Sequence, residues 1–169
     1  MTNKESKNPI PMAVESRKPW YQQGLHFKCT GCGKCCTGSP GYVWLNREDI
    51  RRFAEFFHLS EKEFLKKYAR RVGKGISLKE DVENYNCIFL KENKCTAYEA
   101  RPKQCRTFPW WGCNLESKKS WERASRSCEG INHEEAHLVS FEEIQKQIQL
   151  RSAYTEVEGA FKGVLSEEK

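Results

Sequence analysis

The residues in this chain most able to do chemistry are its cysteines. Four lie within eight positions of one another in "CTGCGKCC", at Cys29, Cys32, Cys35 and Cys36. Cys29 and Cys32 have the two-residue spacing by which a tight loop turns two thiolates toward one metal. Gly31 and Gly33 suit that loop, because glycine accepts left-handed dihedrals and lets backbone come close. The adjacent pair is harder to place: neighbours on extended backbone point to opposite faces, so Cys35 and Cys36 would not converge on one ion without strain. A polynuclear cluster, or two nearby sites each taking one sulfur, removes the difficulty. A second group follows at Cys87, Cys95, Cys105, Cys113 and Cys128. The first four could close one tetrahedral site, but that would leave the distal five without a role, and nine thiols are too many for one zinc with four thiolate ligands.

Ligating thiolates in that number carry more negative charge than two divalent ions neutralise, so cations are expected beside them. Lys28, Lys34, Lys94, Arg101, Lys103 and Arg106 are all next to a cysteine or a few residues away. There they could lower thiol pKa values and donate hydrogen bonds to sulfur. Ligands of sulfur alone suit zinc and iron-sulfur chemistry equally, which leaves the metal open.

Other catalytic devices are sparse. "HEEAH" at His133 to His137 matches HExxH, the pattern in which two histidines hold zinc and the glutamate is a general base. Its surroundings are polar and lack the apolar helix that buries such a site, so an exposed turn is expected instead. No phosphate-binding glycine loop, dinucleotide fingerprint or nucleophile elbow is present.

Two separated blocks, "CTGCGKCC" and "CTAYEARPKQCRTFP", with "CIFL" before the second and "CEG" after it, resemble the CxxCxxCC cysteine-cluster family, also called YkgJ-like, of zinc- or iron-chelating domains. The resemblance runs over residues 27 to 130. It implies a shared centre with Cys29, Cys32, Cys35, Cys36, Cys87, Cys95, Cys105 and Cys128 as ligands, holding zinc or iron either as single ions or as an iron-sulfur cluster. It puts Tyr98, Arg101, Pro102, Arg106, Phe108 and Pro109 at framework positions. Related domains occur in flagellin lysine N-methylases, which brings methyl transfer or redox chemistry on a protein within range and leaves enzymatic activity undecided. Cys113 is extra to the pattern, and Glu129 stands where relatives often carry proline.

The elements that must position these residues follow from patterning. The 169 residues, 38% hydrophobic, are enough for one modest core. The sequence predicts an α+β fold: a small irregular metal-stabilised domain with a few helices and a short hairpin, plus a C-terminal helix. The expected organisation is a flexible arm over 1–19, a cysteine-cluster domain over 20–130 and a helical extension over 131–169. Asn46 caps a helix with Ile50, Phe53, Ala54 and Phe57 on one face, ending near His58. Ser60 with Glu63 opens a second, with Phe64, Leu65 and Tyr68 inward and Lys66, Lys67, Arg70 and Arg71 outward. "ISL" and "NCIFL" read as two short strands around a turn. "TAYEARP" reads as a helical turn ended by Pro102, "RTFPWWGC" as an aromatic loop and the stretch from there to Cys128 as a polar loop. A last amphipathic helix puts Phe141, Ile144 and Ile148 on one side.

The net charge of +6 is uneven: residues 51–74 carry eight Lys or Arg against three Glu, and residues 129–169 four against nine acids. That permits RNA or an acidic partner at the middle segment, with Trp110 or Trp111 as a stacking surface, though a solvated helix face gives the same counts. Nucleic acid is the less favoured partner, and a protein partner is left open. No signal-like apolar segment opens the chain and no run could span a bilayer, so a cytoplasmic location, where thiols stay reduced, is expected. Three functions compete: a metal-binding protein with a redox or metal-delivery role, a cluster-dependent enzyme, and a zinc-stabilised nucleic-acid module.

Overall fold

In the computed structural model the described residues are 18–38 and 40–152. The expected arm over residues 1–19 falls almost wholly outside them. The fold is α+β, with six α-helices, one 3-10 turn and three two-stranded antiparallel pairs among the described residues.

The chain enters through β1 (Leu25–His26) and reaches the cysteine loop, which ends in a 3-10 turn at Lys34–Cys36. Helix α1 (Arg47–Phe56) starts at Asn46, whose side chain accepts from the Asp49 amide while the Asp49 carboxylate accepts from the Asn46 amide. Ser60 and Glu63 form the same reciprocal box at the start of α2 (Glu61–Tyr68). Both starts are as the capping residues predict. Helix α2 is shorter than expected, however. Arg70 and Arg71 lie on strand β2 (Ala69–Val72), which pairs with β3 (Gly75–Leu78) in the register Ala69↔Leu78 to Val72↔Gly75. The β-branched Ile76 and the buried run Ile76–Leu78 need a strand partner, and the four residues before the Gly73 turn are the nearest available.

The strand expected at "NCIFL" is therefore not the partner of "ISL". Cys87 makes only an isolated bridge to Glu80, and Leu90 opens a separate hairpin, β4 (Leu90–Lys91) with β5 (Lys94–Cys95). Its turn residues Glu92 and Asn93 both have positive φ. "TAYEARP" forms i to i+3 turns, and helix α3 (Lys103–Arg106) begins just after Pro102, where the fixed proline φ suits the entry to a helix. The aromatic loop ends in the single turn α4 (Gly112–Leu115). The stretch expected as a polar loop is instead helix α5 (Lys118–Ser125), capped by Ser117 on the Ser120 amide. Its buried residues are only Trp121 and Ser120, too narrow an apolar stripe to stand out from its polar neighbours. Strand β6 (Leu138–Val139) returns to pair with β1, and α6 (Phe141–Ser152) follows with Ile144 fully buried.

Apolar side chains gather in two clusters rather than the single core expected. One joins Ile50, Phe53, Phe64, Leu65, Ile76, Leu78 and Phe89 under α1 and α2. The other joins Tyr21, Leu25, Trp110, Leu115, Trp121, Ile131 and Ile144. No helix among the described residues is long and apolar enough to cross a membrane.

Candidate metal centre

The cysteines stand between these two clusters. One cavity of about 70 Å³ is lined by Cys29, Cys32, Cys35, Cys36, Cys87, Cys95, Cys105 and Cys128 together with apolar residues of both clusters, among them Phe53, Leu78, Phe89 and Phe27. That volume has room for several water-sized atoms. Cys113 does not line it and lies on the surface, against a separate open hollow. All nine cysteines are free thiols.

Local backbone explains how the first four thiols arrive. Gly31 and Gly33 both take left-handed dihedrals (φ 71° and 72°) that a side chain would resist. Gly33 also passes so close to the β4–β5 turn that a Cβ would fall 2.3 Å from the Asn93 carbonyl oxygen. The chain then enters the 3-10 turn, so Cys35 and Cys36 are not on extended backbone. Their sulfurs are 4.0 Å apart and both line the cavity. The adjacency argument for two ions thus falls away, while the count of thiols retains its force.

The distal cysteines come in on separate supports. The Cys87 amide donates to the Cys36 carbonyl at 2.8 Å, which fixes one block against the other. Cys95 ends the β4–β5 hairpin. Cys105 sits on α3, whose first amide, Lys103 N–H, donates to the buried Asp49 carboxylate, while Gln104 bridges the Trp44 amide and the Tyr42 carbonyl. Cys128 is held where Lys28 N–H donates to the Gly130 carbonyl, and a Cβ on Gly130 would lie 2.3 Å from the Lys28 carbonyl oxygen. The anchoring roles of Asp49 and Gln104 had no sequence signal beyond the helix cap of Asp49.

Hydrogen bonding among the thiols is centred on Cys36. It shares hydrogen bonds with Cys35, Cys87 and Cys95, which keep it protonated far above the usual thiol range. Cys35 is correspondingly lowered to about 7 and Cys95 to about 6, both chiefly by the Cys36 hydrogen bond, and Cys87 is lowered for the same reason. Burial pushes Cys105 well up and Cys128 up. Among the described residues no three His, Cys, Asp or Glu side chains are gathered to hold an ion as they stand. Metal binding requires these thiols to lose their protons. The donor set, eight sulfurs in a pocket with apolar walls, fits zinc or iron.

The cations are distributed unequally. Arg101 lines the cavity and lowers the pKa of Cys35 and Cys95 by its charge. Lys34 also lines the cavity while its Nζ pairs with Glu129 (2.8 Å), and Lys28 pairs with Glu135. Glu129 also accepts from Thr30 Oγ1 at 2.9 Å, which ties the Cys128 segment to the cysteine loop. "HEEAH" is not helical: residues 132–137 form turns, with the Glu135 amide donating to His133 Nδ1, so its histidines do not share a helix face. Phe108 reaches the cavity wall, whereas Trp110 is buried against Trp121 and cannot serve as an exposed stacking surface.

An uncharacterized protein of Methanocaldococcus jannaschii is 32% identical to this chain over 92 residues, 53% of this chain and 48% of the relative, so the chain spans about half of that relative's length. No solved structure matches. The sequence model of the family described as "CxxCxxCC: Putative zinc- or iron-chelating domain" matches residues 28–129. With more than half of its length in that match, including all eight cavity cysteines, the chain belongs to the CxxCxxCC family.

Proposed function

We propose that this protein binds zinc or iron through Cys29, Cys32, Cys35, Cys36, Cys87, Cys95, Cys105 and Cys128, in a centre of more than one metal ion, and that it carries metal rather than turning over a substrate. One observation supports this above the others: eight thiols from separate parts of the chain line one cavity, and the one cysteine extra to the family pattern does not. Eight thiolates match about two ions at four ligands each. The apolar wall covers the inner sulfurs, Arg101 offsets part of their charge, and bound metal supplies the link that joins the two hydrophobic clusters.

A carrier role is favoured over electron transfer by the exposure of Cys29 and Cys35, which leaves two donors open to an acceptor. Thiols that must stay reduced to bind metal agree with a cytoplasmic location. A protein acceptor fits better than nucleic acid, because Arg70 is engaged by Glu80 and Trp110 is buried.

The test is anaerobic purification with metal analysis and an absorption spectrum. The reading expects about two ions per chain, colourless for zinc and with broad visible absorption for iron-sulfur. A chain that holds no zinc or iron under those conditions, with all thiols free, overturns it.

A further inference from the structure

Seven of the eight cavity thiols have surroundings that explain why they stay. Cys35, Cys36, Cys87 and Cys95 face one another, with the Cys35 and Cys36 sulfurs 4.0 Å apart, Cys105 is held by α3, and Cys32 and Cys128 face Lys34, which is fixed by its ion pair with Glu129. Cys29 is different. Like Cys35 it is exposed, but its sulfur faces Tyr98, whose Oη donates to Cys29 Sγ at 3.8 Å. Tyr98 belongs to the turn after the β4–β5 hairpin and is itself 41% exposed, so this bond lies at the mouth of the cavity.

Behind that phenol stands a cation. The Arg101 guanidinium lies 3.5 Å from the centroid of the Tyr98 ring, and its Nε donates to the Tyr98 carbonyl at 2.9 Å. The ion pairs among the described residues do not include Arg101, so its charge remains available to the sulfurs.

Resting on the proposed metal site, we propose that Cys29 is its exchangeable ligand and that Tyr98, backed by Arg101, is a positioning residue that receives the Cys29 sulfur when it leaves the ion. A departing thiolate needs a hydrogen-bond donor and a nearby positive charge, and this pair supplies both at the solvent edge. With an ion held by the cysteines, the bond from Cys29 Sγ would break as a donor atom of the acceptor took its place, and the thiolate would keep its charge against the Tyr98 hydroxyl. No proton or electron needs another source. The ligand chemistry this opens the centre to is a soft donor, a thiolate or imidazole of a metal acceptor.

The experiment loads the full chain with zinc and follows its release to the chromophoric chelator 4-(2-pyridylazo)resorcinol. Tyr98→Phe, which removes one hydroxyl, is expected to bind as much zinc as wild type and to release it about tenfold more slowly, the effect of losing one hydrogen bond to a charged group. Arg101→Gln should slow release as well, and Arg101→Lys should restore part of the rate. Release that is unchanged or faster in Tyr98→Phe overturns the inference. An independent measurement uses the zinc-loaded wild type: limited alkylation with iodoacetamide, mapped by peptide mass spectrometry, should modify Cys29 first among the eight, and any other of them reacting first overturns it. Zinc stoichiometry is measured before any rate, so a failure of the metal site itself is recognised separately.

Discussion

Changing Gly130 to alanine puts the closure of the centre to its sharpest steric test. A Cβ built on Gly130 lies 2.3 Å from the Lys28 carbonyl oxygen, 3.1 Å from the carbonyl carbon and 3.2 Å from Phe27 Cε2. Gly130 has no left-handed φ, so the effect is crowding rather than dihedral strain. The carbonyl has little freedom to withdraw, because this stretch is fixed by Lys28 N–H to the Gly130 carbonyl, by the Phe27↔Ile131 bridge and by Asn132 N–H to the His26 carbonyl. Overpacking of this kind costs about 1–3 kcal/mol, and losing the Lys28 hydrogen bond adds about 1 kcal/mol. A total of about 2–4 kcal/mol, at about 3 °C per kcal/mol for a domain of this size, lowers the melting midpoint by about 6–12 °C. The assay is thermal unfolding of the metal-loaded protein followed by circular dichroism, at fixed chain and metal concentration because bound metal shifts the midpoint. Gly31→Ala is the contrast. Nothing lies within 4 Å of its Cβ position, and only its φ of 71° opposes a side chain, so it should cost about 1–2 kcal/mol. A Gly130→Ala midpoint within about 1 °C of wild type, well below the least shift worked out from crowding, would show that the two segments are not clasped as described.

The remaining outcomes are simpler to state. Cys36→Ala, which removes the hub of the thiol group, should lower bound metal, while Cys113→Ala should leave it unchanged; equal metal content in the two variants would reassign Cys36 to packing. In metal-free, reduced protein at pH 7, Cys95, lowered to about 6, should be alkylated faster than Cys105, whose pKa burial raises. Thiolate forms as pH rises through each pKa, so the advantage of Cys95 sets in above about pH 6 and narrows only at high pH; equal rates at pH 7 would contradict it. Asn46→Ala removes the cap of α1 and should cost about 0.5–2 kcal/mol in urea unfolding, with metal content kept.

Much of the local structure was legible before any tertiary contact was known. The reciprocal caps at Asn46 and Ser60, the apolar faces of α1 and α6 and the glycine-bearing cysteine loop are settled by interactions within a few residues, which patterning captures. The departures arose where longer-range pairing competed with local preference. Arg70 and Arg71 continue a helical pattern by composition, but burial of Ile76 and Leu78 draws them into a strand. Helix α5 was hidden because its buried face is only two residues wide. The adjacency of Cys35 and Cys36 was misjudged because a left-handed glycine turned an extended stretch into a 3-10 turn.

For the candidate centre, sequence alone determined the inventory: which thiols are present, how they are spaced and that their number exceeds one tetrahedral ion. Only the tertiary structure decided which of them share a cavity, which cation faces them and that Tyr98 meets Cys29, because those relations join residues as many as 99 positions apart, as Thr30 and Glu129 are. A side chain's partner across such a distance depends on how β1 meets β6 and how α3 is tied to α1, and no local property of the chain encodes that geometry.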